Sequence, residues 1–275
     1  MATITTLMAC MRTDHNAGML AVVADLAGRF GAAVIGVAAR QASTPGIVRG
    51  VGPREPDRHD FDKFVDLSAA AEAEFRAALP KVQDLQWRSQ MTFGPVYEYV
   101  AAESRGADLV VATLDSGEGI FLPSEQAEVG DLLMRLGRPT VIVPSDAGGL
   151  KLTSALVCWD DKREARRAIA DALPLLQASN RVDVVEIVNG KDMDGARRRL
   201  GDVGDWLARH GVEAQCSARV SNGSESTQLA DFAKDMNVDL VVAGAFGHSR
   251  LREWAFGGVT RDLLLHTDCC VLASH

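Results

Sequence analysis

Gly244 and Gly247, followed by Gly257 and Gly258, are the residues whose type and spacing could do chemistry in this chain. The first pair ends the apolar run Asp239-Leu240-Val241-Val242-Ala243, which reads as a buried strand. Glycine there lets the backbone turn tightly and expose its N–H groups, which makes a cradle for an anion. The second pair opens Val259-Thr260-Arg261-Asp262-Leu263-Leu264, which reads as a helix start. The unpaired N–H groups and the dipole of such a start favour a phosphate. Two glycine clusters can therefore grip one polyphosphate, and His248, Arg250 and Arg252 lie between them to neutralise it.

The elements that must hold these clusters follow from length and pattern. At 275 residues, with 47% hydrophobic and 24% charged, the chain has the composition of a globular protein and the length of two modest domains. A formal charge of -8 argues against a general nucleic-acid surface, which needs a basic face. Cys10, Cys158, Cys216, Cys269 and Cys270 are an odd set without CxxC spacing, so neither a disulfide framework nor a zinc site is expected. No signal core and no run of about 20 apolar residues is present, so the expectation is a cytoplasmic protein with no membrane partner.

Strands and helices alternate along the chain. Strands are predicted at 4–9, 32–39, 85–91, 108–114 and 139–144. The helices between them carry Leu20, Val23 and Ala27, then Phe64, Ala71 and Phe75, then Val96 and Val100, then Leu132, Leu133 and Leu136. Gly31 and Pro80 close the first two. Residues 41–60 collect prolines and glycines and read as a long loop. After Asp146-Ala147-Gly148-Gly149 the order starts again: strands at 152–158, 182–188, 212–220, 239–243 and 270–274, and helices at 162–177 (interrupted by Pro174), 196–210, 225–236 and 259–266. Ala107-Asp108-Leu109-Val110-Val111-Ala112 repeats as Val238-Asp239-Leu240-Val241-Val242-Ala243, and Asp131-Leu132-Leu133 as Asp262-Leu263-Leu264. The expected fold is α/β: two tandem doubly wound domains with five-stranded parallel sheets, spanning 1–145 and 152–275 and joined by a linker at 146–151. Ligands in such sheets sit at the carboxyl ends of strands where the strand order reverses.

The spacing Gly244-x2-Gly247-x9-Gly257 resembles that of the nucleotide-binding universal stress proteins, whose domain is Rossmann-like. Gly258 stands where that family has a serine or threonine, so one phosphate-binding hydroxyl is missing and Thr260 is the nearest substitute. The resemblance covers both copies as a tandem pair, with the motif in the second only. It implies that ATP or a related adenine nucleotide, with or without Mg, is held by Asp160, Ile187, Gly244, Gly247, Gly257, Gly258, Val259 and Thr260. Asp160 would stand near the adenosine and the Ile187 backbone near adenine. Read from the residues alone, Asp160 is equally a helix N-cap for the segment after Lys162, and Ile187 is core. The resemblance also implies an intramolecular pseudo-dimer through the last strands, a further homodimer, and a protein partner in a stress response.

The first copy has lost the pattern. Thr113 and Ser116 replace the first two glycines, and Asp115, Glu118, Glu125 and Glu128 would repel phosphate. At the end of the first strand Met11 is taken as the counterpart of Asp160. Ser249 beside His248 lacks a nucleophile elbow and carries no catalytic reading. Arg197-Arg198-Arg199, after Asp192 and Asp194, reads as a solvated, ion-paired face, and Trp159, Trp206 and Trp254 as packing. The leading function is therefore a nucleotide-binding regulator. Slow ATP hydrolysis at the same site and a nucleotide-free interaction module are the alternatives.

Overall fold

A computed structural model of the chain describes residues 3–12, 15–42, 58–113, 129–245 and 268–275. The first half runs β1 (Thr6–Met11), α1 (Ala17–Phe30), β2 (Ala33–Gln41), α2 (Arg58–Ala78), β3 (Leu85–Thr92), α3 (Val96–Glu103), β4 (Leu109–Thr113), α4 (Val129–Leu136) and β5 (Thr140–Val143). The second half runs β6 (Ser154–Trp159), α5 (Arg163–Asp171), α6 (Leu173–Ala178), β7 (Arg181–Val188), α7 (Met193–Arg209), β8 (Ala214–Val220), α8 (Glu225–Asp235), β9 (Leu240–Gly244) and β10 (Cys270–Ser274). The helix expected at 162–177 with an interruption at Pro174 is indeed broken there, into α5 and α6. Pro174 lacks the N–H that a helix interior requires and sits instead in the first turn of α6, where none is needed. The α1 stripe Met19, Leu20, Val23, Leu26 and Ala27 is buried as its spacing requires, and Gly31 ends the helix in the left-handed conformation at φ 64°. The expected loop at 41–60 lies mostly outside the described residues.

All ten strands join one sheet in the order β3-β2-β1-β4-β5-β10-β9-β6-β7-β8. Every pairing is parallel except β5 with β10. The two five-stranded halves thus meet through their last strands, as the family resemblance implies. Their register is self-matching: Val141 faces Leu272, its own counterpart in the repeat, while Ile142 faces Val271 and Thr140 faces Ala273. This is the pattern of a two-fold axis normal to the sheet.

Helices α1, α2, α5 and α7 cover one face, over an apolar core that runs without a break from Leu7 and Phe75 to Val184 and Leu207. The other face has separate clusters for the two halves, around Val100 and Val110 in one and Leu229 and Val241 in the other. Residues 146–151 are pinned rather than loose: Asp25 of α1 accepts a hydrogen bond from the Leu150 N–H at 2.8 Å, Arg29 donates to the Lys151 carbonyl, and Leu150 and Leu152 are buried.

The repeat is also visible as a polar device. Asp108, just before β4, accepts hydrogen bonds from the Thr5 N–H and hydroxyl and from the Thr6 N–H, at 2.8, 2.7 and 3.0 Å. Asp239, just before β9, accepts from the N–H groups of Thr153 and Ser154 in the same way. Each carboxylate satisfies the leading N–H groups of the neighbouring strand. Partial burial pushes the Asp108 carboxyl up, but the Thr5 and Thr6 donors and the Arg138 charge outweigh this and hold it below the usual range. A carboxyl depressed in the folded state stabilises fully above its unfolded value of about 3.9, and that contribution is lost as pH falls through the lower folded value. Asp108→Asn is therefore expected to lower stability at neutral pH and to flatten the acid side of the stability profile. Denaturant melts of both proteins from pH 2 to pH 7 check this; parallel profiles would refute it.

Candidate functional site

Three of the residues expected to hold a nucleotide are described, and the sheet gathers them at one place. β6 lies between β9 and β7, so the connections after β6 and β9 leave in opposite directions at the carboxyl edge. Asp160 is the first residue past β6. Ile187 lies one residue beyond the Trp159–Glu186 pair and so comes beside Asp160 in register. Gly244 ends β9, one residue past the Cys158–Ala243 pair.

Asp160 is not the N-cap of α5. Lys162 takes that position with extended backbone and no side-chain cap, and the Asp160 Oδ1 accepts its N–H at 3.2 Å while Lys162 Nζ lies 2.7 Å from Oδ2. The carboxylate is about half exposed, so it keeps acceptor capacity for a donor arriving at the strand ends. Asp161, next to it, sits at φ 53°, and this left-handed turn sends the chain from the strand edge into α5. Ile187 is half-buried against the cluster under α8, in keeping with its core reading.

Gly244 has a role that sequence alone does not show. A Cβ built there would lie 2.6 Å from the Glu164 carbonyl carbon and 2.7 Å from the Ala165 nitrogen. The backbone of α5 occupies the space that a side chain would need, so this glycine lets the helix start close against β9. In the first half the counterpart is Thr113, buried and accommodated, with its hydroxyl lacking a partner among the described residues. Gly247, Gly257, Gly258, Val259 and Thr260 lie outside the described residues, as do His248, Ser249, Arg250, Arg252, Trp254 and the expected helix at 259–266.

Strand register corrects one correspondence. Leu7 pairs with Leu109 as Ala155 pairs with Leu240, so Arg12, not Met11, stands where the second half has Asp160. Met11 is the counterpart of Trp159. The first half thus presents a largely buried cation at the position of the carboxylate.

Other features were hidden by their residue types. Glu186 sits in the middle layer of the fold, 3% exposed, and accepts from Arg199 of α7. Arg199 also contacts Asp192 at 2.7 Å, while Arg197 pairs with Asp194. The arginine run is therefore not uniformly solvated: the hydrogen bonds that Arg199 donates to Glu186 and then to Asp192 raise its pKa and lock it as a cation. A glutamate inside an apolar strand was the only signal for this pair. Burial pushes the Cys10 and Cys270 thiols up to about 12 and Cys158 higher still, which disfavours their thiolates. No helix among the described residues is long and apolar enough to cross a membrane.

Comparison with known proteins agrees with this architecture. Residues 152–275 match the model of the universal stress protein family. No curated protein matches by sequence. Among solved structures, a universal stress protein from Archaeoglobus fulgidus DSM 4304 is similar over 98% of this chain and 97% of its own, with a TM-score of 0.72 at 11% identity. A protein of unknown function from Pseudomonas aeruginosa PAO1 is similar over 98% of this chain and 92% of its own, with a TM-score of 0.59 at 12% identity. A universal stress protein from Archaeoglobus fulgidus in complex with dAMP covers 45% of this chain and 98% of its own, at 20% identity and a TM-score of 0.38, too partial a likeness to bear on this chain's ligand. Residues 152–275 thus match the universal stress protein family, and along its whole length the chain has the fold of a solved universal stress protein.

Proposed function

We propose that the chain is an adenine-nucleotide-binding regulatory protein of a stress response, which holds ATP or a related nucleotide in its second half and passes its state to a protein partner. The observation that carries the reading is the convergence of Asp160, Ile187 and Gly244 at the reversal point of the sheet, where the Gly244-x2-Gly247-x9-Gly257 spacing begins. Asp160 offers an exposed carboxylate to ribose or adenine donors. Ile187 offers strand backbone and an apolar edge. Gly244 brings the α5 start against the strand that feeds the motif, and Gly247, Gly257, Gly258, Val259 and Thr260 supply N–H groups and a hydroxyl to the phosphates. Binding would order that segment and bias the surface a partner meets.

The first half is read as a structural partner, because Arg12 replaces the carboxylate and Thr113 and Ser116 replace the glycines. Calorimetric titration with ATP is therefore expected to return one site per chain, and Asp160→Ala to weaken it. Two equivalent sites, or none, would overturn the reading. Mass spectrometry of small molecules released on denaturing the purified protein identifies the nucleotide.

A further inference from the structure

β8 ends the sheet on the side of the second half: β7 pairs along one edge of it, and among the described residues no strand pairs along the other. The Ser221 N–H donates to the Val188 carbonyl, so in this parallel ladder Ala214, Cys216, Ala218 and Val220 turn their own N–H and C=O groups the other way, into the open edge. A row of unpaired main-chain groups is a template for a further strand.

The side chains along the edge decide which strand fits. When a second β8 runs antiparallel with Cys216 opposite Cys216, Ala214 falls opposite Ala218, and Glu213 falls opposite Arg219 on both sides of the dyad. Arg219 faces α8, with its guanidinium 4.4 Å from the centre of the Phe232 ring, and strand alternation turns Glu213 to the same face. Both residues are exposed, and neither has an ion-pair partner among the described residues. A slip of two residues in either direction loses both acid–base contacts. The strand at the opposite end of the sheet, β3, carries a single charged residue, Arg88, already paired with Glu103 at 2.6 Å, and offers a copy of itself no such match.

The helix above the edge leaves room for the same neighbour. α7 packs chiefly on β8 and turns Arg199, Asp202 and Trp206 toward α5, so its other side, above the open edge, carries Gly201, Gly204 and Ala208. A Cβ at Gly204 would lie 3.3 Å from Cys216 Sγ, which sets this glycine over the residue on the dyad, and a Cβ at Gly201 would meet nothing within 4 Å. Paired strands lie about 4.8 Å apart, whereas packed helices need about 8–10 Å. Two α7 helices carried in by their strands therefore come close, and glycine at the dyad and one turn before it gives the clearance.

We infer that β8 and α7 form the surface through which two copies of this chain associate, β8 against β8 in antiparallel register about Cys216, so that one sheet runs through both chains. The β5–β10 seam is the same kind of junction made within one chain.

Sedimentation of the full chain without nucleotide, at micromolar concentration, is expected to show a dimer. Ala218→Pro removes an outward N–H that β7 does not use, so the thermal melt should be kept while the protein sediments as a monomer. Arg219→Glu sets like charges opposite each other on both sides of the dyad and should raise the dimer dissociation constant at least about tenfold. Adding Glu213→Arg to that variant restores opposite charges and should bring the constant back to within about threefold of the parent. These two substitutions change exposed side chains alone and decide the matter even where proline disturbs the strand. A monomeric parent, a dimer that survives Ala218→Pro, or a double variant as weak as Arg219→Glu would each overturn the inference.

Discussion

Gly247→Val is expected to abolish adenine-nucleotide binding, a loss beyond a hundredfold in affinity, while leaving the melting temperature of the ligand-free protein close to that of the parent. The motif needs backbone N–H groups brought within hydrogen-bond distance of phosphate oxygens, and a branched side chain at the second glycine stands between them. The sheet core is made by residues such as Val241 and Leu272, and position 247 follows the end of β9 in sequence. Calorimetry with ATP, run beside a thermal melt, reads both consequences. Ser116→Val, at the matching place in the first half, should leave ATP binding unchanged. A Gly247→Val protein that binds ATP like the parent would remove the phosphate-cradle reading and leave the glycines as turn-formers.

Gly244→Ala is expected to do the opposite: to destabilise the protein whether or not nucleotide is present. Its Cβ would fall 2.6–2.7 Å from backbone atoms of Glu164 and Ala165, a separation that only movement of α5 can relieve. Forcing one extra carbon into a packed site costs about 1–3 kcal/mol, and here the clashing atoms are main chain rather than the end of a flexible side chain. Since the α5 start also follows Asp160, nucleotide affinity should fall as well, but only alongside stability. Urea melts without ligand provide the check, and an unchanged midpoint would show that α5 can retreat without cost. The two glycines of one motif thus separate into a packing role and a binding role that two measurements distinguish.

The alternation of elements and the repeat were legible in the sequence because hydrophobic periodicity and the Asp-Leu-Val-Val anchors report directly on a two-faced sheet, whereas the meeting of the last strands was implied by the family resemblance alone. β10 falls at the residues predicted, and most other boundaries shift by a few residues. What escaped was set by distant partners. The Arg12 correspondence needs strand register, which no single strand encodes. The space at Gly244 belongs to a helix about 80 residues earlier in the chain, and a missing Cβ looks the same in sequence whether backbone or ligand fills its place. The buried Glu186–Arg199 pair joins a strand to a helix that, taken alone, looked solvated.

The self-matched junction of β5 and β10 has a consequence for how this protein can change. In an assembly of two identical chains about a dyad, every substitution appears twice, so a site and its symmetry mate gain or lose function together. Here the partner is covalently attached, at an effective concentration that makes association independent of abundance. Each side of the axis is then free to vary alone. One half can carry a carboxylate at Asp160 while the other places Arg12 there, and one can keep its glycines while the other holds Thr113, with the Val141–Leu272 seam unaffected. Such a molecule is a dimer released from symmetry: one side is free to specialise in chemistry while the other supplies scaffold.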